Sequence, residues 1–276
     1  MTGPEQPRRR PRLVASDLDG TLLGPDHEVS PRSRAALAAL AAAGVPFVAV
    51  TGRAPRSLGP LEGTAAGRVV VCANGAITWD RIAGRVLAQH RLDAGTAVEV
   101  VERLRRRLPG LTAAVERPDG TLAHEPGYRP SRPWPGSPRP LPEIVGGGVL
   151  KVVVHSAGGG PDALRVAVQE LVGAQVTVTA SASGPYVEIG PPGVDKASGL
   201  AVVAAGLGVV AADVVAFGDM PNDVSMLRWA GRGVAVANAH PDVLAVADEV
   251  APHHGEDGVA RWLEQLLGGG GLDTGW

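Results

Sequence analysis

Five apolar runs punctuate the chain, at residues 12–16 (RLVAS), 45–50 (VPFVAV), 68–73 (RVVVCA), 213–218 (DVVAFG) and 233–237 (GVAVA). None alternates apolar with polar positions. Strands buried on both faces read this way, because helices cover both sides of a parallel sheet. Helical stretches lie between the runs. In SPRSRAALAALAAAG, Ser30 suits an N-cap, Pro31 the first helical position and Gly44 the C-terminal stop. KASGLAVVAAG, from Lys196, reads as another helix. The strand–helix–strand repetition predicts an α/β domain with a doubly wound, Rossmann-like parallel sheet.

The middle of the chain follows another rule. Residues 82–189 carry more charge and more polar alternation. Helices are expected at 94–108 and 162–172, and strands at 151–155, 175–180 and 186–189. A Pro-rich stretch over 125–143 is too irregular for a packed core and reads as a mobile or functional loop. The pattern predicts an inserted α+β module over 82–189. It interrupts a core made of 12–81 and 190–267, with flexible tails at 1–11 and 268–276.

A chain of 276 residues can bury a sizeable core without disulfides. The single cysteine, Cys72, excludes an internal disulfide and points to a reducing, cytoplasmic compartment. The net charge of -2 argues against a nucleic-acid partner. Arg8, Arg9, Arg10 and Arg12 read as a solvated N-terminal arm. The longest apolar stretch, 200–217, is divided by Gly206, Gly208 and Asp213, so a buried helix, a turn and a strand are expected, not a membrane span. The N-terminus shows no apolar leader region. A soluble protein is expected.

In open α/β sheets, ligands bind outside the carboxyl ends of the strands. Asp17 and Asp19 follow the first run, and Thr51, Gly52 and Arg53 the second. Asn74 and Gly75 follow the third, and Asp219, Asn222 and Asp223 the fourth. Turn chemistry explains any one of these clusters but explains all four poorly. In extended backbone, residues i and i+2 project to one side, so Asp17 and Asp19 can face one pocket. A calcium loop of the EF-hand type needs its glycine at the sixth position, and Gly20 comes too early. Lys196 opens a helix, where a cation opposes the dipole by roughly 0.3–1 kcal/mol. That position suits a lysine that grips a phosphate. The histidines are scattered and lack zinc spacing. Neither a P-loop nor a G-x-S-x-G elbow is present.

The segments DLDGTLL, VTGR, GVDK and AFGDMPNDVSML occur in this order, with the insert between the second and third. The chain resembles phosphatases of the haloacid dehalogenase superfamily, Cof-like subfamily, over roughly residues 12–266, and no core motif position departs from that pattern. The resemblance implies that Asp17 is a nucleophile forming an aspartyl-phosphate. It implies that Asp19 protonates the leaving alcohol and later deprotonates water, which requires a raised carboxyl pKa. Two unit charges ~4 Å apart repel by about 4 kcal/mol at an effective dielectric near 20. A phosphate facing these carboxylates therefore calls for a cation.

The implied cofactor is Mg²⁺, held by the Asp17 and Asp219 carboxylates and the Asp19 carbonyl. Asp223 is implied as a ligand through water or as a partner of the ligands. The Thr51 hydroxyl, the Gly52 and Leu18 N–H groups and Lys196 would hold phosphate oxygens. Asn222 would hydrogen-bond near the phosphate and help position Lys196. Arg53 either reaches the substrate, or only covers the site or pairs with an acid. Residues 21–28 would form a flap, and Asn74 and Gly75 would be structural or beside the substrate. The insert would be a cap that selects the leaving group. Trp134 packs over the substrate or anchors the loop.

The implied substrate is a small phosphorylated metabolite, a sugar phosphate above all, with no nucleic-acid or membrane partner; the oligomeric state is left open. A phosphosugar mutase or phosphotransferase would need a second phosphate site, for which Arg103, Arg105, Arg106 and Arg107 are candidates. A catalytically silent phosphate sensor is the non-enzyme alternative.

Overall fold

The computed structural model describes residues 10–129, 136–156, 160–180 and 185–268. Arg8, Arg9, Trp134 and the middle of the Pro-rich loop lie outside the described residues. The early strands are β1 (Leu13–Ser16), β2 (Phe47–Val50), β3 (Val69–Cys72), β4 (Ile77–Asp80) and β5 (Arg85–Gln89). Then come β6 (Thr112–Glu116), β7 (Leu122–His124), β8 (Lys151–His155), β9 (Thr177–Thr179) and β10 (Tyr186–Gly190). The last are β11 (Val214–Gly218), β12 (Arg232–Val236) and β13 (Glu249–Ala251). The helices are α1 (Pro31–Ala42), α2 (Ala94–Arg105), α3 (Leu141–Val145), α4 (Pro161–Val172), α5 (Lys196–Gly206), α6 (Val224–Trp229), α7 (Pro241–Leu244) and α8 (Gly258–Gly268).

The apolar runs become neighbours. β1 lies between β11 and β2, parallel to both. Among the described residues the large sheet has the order β13-β12-β11-β1-β2-β3-β4-β5. Successive side chains along β1 enter different cores. Val14 packs in one layer with Ala36, Leu37 and Leu40 of α1 and with Trp262 and Leu263 of α8. Leu13 and Ala15 pack in the other with Leu200 and Val203 of α5 and Met226 of α6. A strand that feeds two cores has no polar face, which is why these runs do not alternate. Leu13 is fully buried, and truncation to Ala would cost about 2–5 kcal/mol. The Ser30 hydroxyl caps α1 by accepting from Ser33 N–H at 3.0 Å.

The strands β4 and β5 add an antiparallel hairpin to the large sheet's edge. The insert was expected to begin at 82, but residue 82 lies in the turn of this hairpin. The small sheet follows with the order β7-β6-β8-β10-β9, antiparallel throughout. Val152, Val154, Val187 and Ile189 pack on one face against residues of α2, α3 and α4. By alternation, Glu116, Lys151 and Glu188 fall on the opposite face, which lies toward the carboxyl ends of β2 and β3. Among the described residues, no helix is long and apolar enough to cross a membrane.

Candidate active site

Asp17 continues the pairing one residue past β1, where its N–H donates to the Phe217 carbonyl at 3.0 Å. This carries its carboxylate over the sheet's edge. The chain then turns at Gly20, which has φ +79°. A Cβ on Gly20 would stand 2.4 Å from Asp219 Oδ2, so only glycine lets this turn pass the acid. The next residue, Thr21, donates its hydroxyl to Asp219 Oδ1 at 2.6 Å.

On the other side, Asp195 caps α5 by accepting from Ser198 N–H at 2.8 Å. That cap sets Lys196 as the first helical residue. Its Nζ donates to Asp17 Oδ1 and Asp223 Oδ1, both at 2.6 Å. The second Asp223 oxygen accepts the N–H groups of Asp219 and Met220 at 3.0 Å. Asp223 thus holds the lysine with one oxygen and its own loop with the other.

Asp17, Asp219 and Asp223 each offer a carboxylate oxygen within 4.8 Å of the others, and all three residues are buried. Three carboxylates against one lysine leave two net negative charges. Burial pushes the Asp17 carboxyl well above its ordinary range; Lys196 opposes this, while Asp223 and Asp219 reinforce it. Burial, with the Asp223 charge, pushes Asp219 up to about 6. Burial alone would lower the Lys196 pKa, but Asp17 and Asp223 outweigh it and raise it. A hard, oxygen-rich donor set with surplus negative charge fits a divalent cation such as Mg²⁺.

The Asp19 side chain is held elsewhere. Arg53 grips it with both prongs, Nε to Oδ2 at 2.7 Å and Nη2 to Oδ1 at 2.6 Å. The His27 ring lies 3.3 Å from the same carboxylate. Burial pushes Asp19 up, but the Arg53 fork and His27 prevail and hold it below its ordinary value. An acid role called for a shift in the opposite direction. Here Arg53 pairs with an acid, Asp19. His27 carries no sequence signal, since only the fold of residues 18–28 brings it to Asp19.

Of the remaining residues, Gly52, Asn74 and Asn222 touch the small sheet or the segment beside it. Thr51 is buried, and its Oγ1 accepts Arg53 N–H at 3.1 Å. Leu18 is buried, and its carbonyl accepts Leu23 N–H at 2.9 Å. The Gly52 carbonyl accepts Lys151 Nζ at 3.0 Å. Lys151 also donates to Glu188 and lies 3.8 Å from Glu116. Glu116 in turn receives Arg56 Nη1 at 2.8 Å. Two bases and two acids therefore balance where the sheets meet. Asn222 donates to Asn74 at 3.0 Å, while Lys196 is held by Asp17 and Asp223. Asn74 at φ +54° and Gly75 at φ +99° form a tight turn. A Cβ on Gly75 would fall 2.1 Å from the Asp195 carbonyl, so this turn rests on the start of α5.

Sequence reading did not single out Lys151, Glu188, Glu116 and Arg56. Lys151 and Glu188 offered one signal, charge inside strand-like segments, while Glu116 and Arg56 offered none. Arg103 pairs with Glu99 at 2.8 Å, and Arg105 with Glu102 at 2.6 Å and with Glu125. Arg103 and Arg105 are thus paired within the insert.

The haloacid dehalogenase-like hydrolase family matches the chain over residues 14–263. The HMP-PP phosphatase of Cronobacter sakazakii is 30% identical over 265 residues, covering 93% of this chain and 96% of that protein. The 5-amino-6-(5-phospho-D-ribitylamino)uracil phosphatase YwtE of Bacillus subtilis is 26% identical over 284 residues, covering 94% and 99%. The structure of BT1666, a phosphatase of this superfamily from Bacteroides thetaiotaomicron, matches with a TM-score of 0.79 at 25% identity, over 96% of this chain and 99% of that one. The chain belongs to the haloacid dehalogenase-like hydrolase family, as an enzyme of its Cof-like phosphatase branch.

Proposed function

We propose that this enzyme hydrolyses small phosphorylated metabolites, sugar phosphates in particular, through an aspartyl-phosphate on Asp17. The observation that carries this reading is the buried contact of Asp17 with Lys196 beside Asp219 and Asp223. A carboxylate oxygen of Asp17 attacks phosphorus, and the bond to the leaving oxygen breaks. Asp19 supplies the proton that oxygen needs, then takes one from the water that attacks the phospho-enzyme. For that, Asp19 gives up part of its Arg53 pairing as substrate enters. Lys196, the Thr51 hydroxyl and the N–H groups of Leu18 and Gly52 bind the phosphate oxygens.

Asp17 and Asp219, with the Asp19 carbonyl, would hold Mg²⁺, and Asp223 would support them. Bound there, the ion would offset the carboxylate charge that otherwise repels a phosphate dianion. The small sheet serves as a cap that excludes water from the first step and selects the alcohol. The single, buried Cys72 is compatible with a cytoplasmic setting.

A panel of phosphate esters, assayed with Mg²⁺ and with a chelator, tests the reading. Turnover should require the metal, and Asp17→Asn should lower it by roughly a thousandfold or more. Full turnover in the chelator, or in that variant, would overturn it.

A further inference from the structure

In the loop after β2, both backbone groups of Thr51 and both of Arg53 find partners in the core. Thr51 N–H donates to the Val71 carbonyl at 2.8 Å, and the Thr51 carbonyl accepts Asn74 N–H at 3.0 Å. The Arg53 carbonyl accepts Ala73 N–H at 2.9 Å. Arg53 N–H donates to Thr51 Oγ1 at 3.1 Å. Among the described residues, that leaves the two backbone groups of Gly52. Its carbonyl is taken from outside the core, by Lys151 Nζ at 3.0 Å, from a residue 99 positions away in the insert.

The Gly52 carbonyl and the Arg53 N–H belong to one planar peptide group, which is therefore gripped at both ends. Its N–H occupies a lone pair of Thr51 Oγ1, so the hydroxyl hydrogen remains for another acceptor. The side chain that leaves the same peptide is the Arg53 fork on Asp19. A cation on the carbonyl also polarises the peptide and strengthens its N–H as a donor.

Lys151 is itself held in place. It is 9% exposed and donates to Glu188 as well. Burial would lower its pKa, but Glu188 and Glu116 prevail and raise it. The other Glu188 oxygen accepts Asn74 Nδ2 at 2.7 Å, and the Asn74 N–H is the one that holds the Thr51 carbonyl. Glu188 thus braces the loop through Lys151 on one side and through Asn74 on the other.

We infer that Lys151 is a positioning residue for the phosphate site: by holding the Gly52 carbonyl, it fixes the turn that presents the Thr51 hydroxyl and the Gly52 N–H to the phosphate. The inference rests on the phosphatase reading above. It adds that the small sheet tightens the grip on the phosphate itself, besides selecting the alcohol. In this role Lys151 touches neither the phosphate nor the alcohol.

The probe is inorganic phosphate, offered to the full chain with Mg²⁺ as a competitive inhibitor and in calorimetry. With Lys151→Met its Ki and Kd should rise about tenfold, the worth of a hydrogen bond from a charged donor. The kcat/KM should fall by one common factor across esters of different alcohols, because the phosphate is what they share. A lysine that recognised the alcohol would give losses that differ between esters and would leave phosphate affinity intact. A double-mutant cycle separates positioning from damage. Once Thr51→Val has removed the hydroxyl, Lys151→Met should weaken phosphate only about threefold further. General damage costs the same factor in both backgrounds.

Should Lys151→Met fail to fold because it strands two acids, Lys151→Met with Glu188→Gln neutralises one, and Arg56 still pairs with Glu116. The same outcomes are expected of it. Unchanged phosphate affinity, losses that differ between esters, or the full tenfold loss in the Thr51→Val background overturns the inference. If the wild type hydrolyses no phosphate ester, the phosphatase reading falls by itself, and calorimetry still decides the role of Lys151. A wild type that binds no phosphate overturns both.

Discussion

Lys196 and Asp17 lie 179 positions apart in the chain, yet their charged atoms meet at 2.6 Å with almost no access to water. The pair is one side of a triangle closed by Asp223. Removing one partner from a buried ion pair typically costs about 3–5 kcal/mol, because the other charge stays behind. Lys196→Met should therefore lower the unfolding free energy by that order in a chelator. Added Mg²⁺ should restore part of it by neutralising the stranded carboxylates. Chemical denaturation with and without the metal measures both. A variant as stable as the wild type in the chelator would show that the lysine contributes nothing there.

Arg53 makes the corresponding prediction for Asp19. Burial raises the Asp19 pKa, and the Arg53 fork is the main force opposing it. With Arg53→Met the carboxyl should titrate at a higher pH than in the wild type. Carbon-detected NMR of the Asp19 side chain, in metal-free protein, reads this directly. Equal midpoints in the two proteins would mean that the fork does not set the charge of Asp19.

Gly20→Ala tests the close passage over Asp219. The left-handed backbone costs a residue with a Cβ roughly 1–2 kcal/mol. In addition, the new methyl would collide with Asp219 Oδ2. Mg²⁺ affinity, followed by calorimetry, should fall along with stability. Retained affinity would show that Asp219 has room to retreat.

Asp80 gives a prediction far from the site. It accepts from Arg68 Nε at 2.8 Å and from the N–H groups of Ala83 and Ile82 at 2.9 and 3.1 Å. The Arg68 bond first, then the Ala83 N–H, lowers its pKa from 3.8 to about 2. The folded state thus binds this proton more weakly than the unfolded chain. The resulting stability is complete above about pH 4 and disappears as the pH falls through 2. Asp80→Asn should flatten the acid limb of the stability curve, measured by denaturation midpoints. An acid limb identical to that of the wild type would rule this out.

How much could be read beforehand varied with the range of the interaction. β1, β2, β3, β11 and β12 stand where the apolar runs placed them, because a doubly buried strand announces itself without its neighbours. The ends of α1 were readable for the same local reason, namely Ser30 with Pro31 at its start and Gly44 after its end, and α5 was read from Lys196. The β4–β5 hairpin was not, since it lies at an edge and leaves Val86 and Leu87 about 40% exposed. The candidate-site loops were readable as motifs of short polar residues. The contacts of Asn74 with Glu188, and of Arg53 and His27 with Asp19, span distances in sequence that no local pattern encodes.

The balanced charges between the two sheets imply an order of arrival. If the sheets part between turnovers, Lys151 departs with Glu116 and Glu188, while Arg56 stays beside the β2 loop. One base against two acids leaves the departing face with one net negative charge, and the loop it leaves gains a free guanidinium. An incoming phosphate dianion is then repelled by the moving face and drawn to the stationary one. On the proposed function, it would land first on the loops of β1 and β2, and the small sheet would come down on a phosphate already in place.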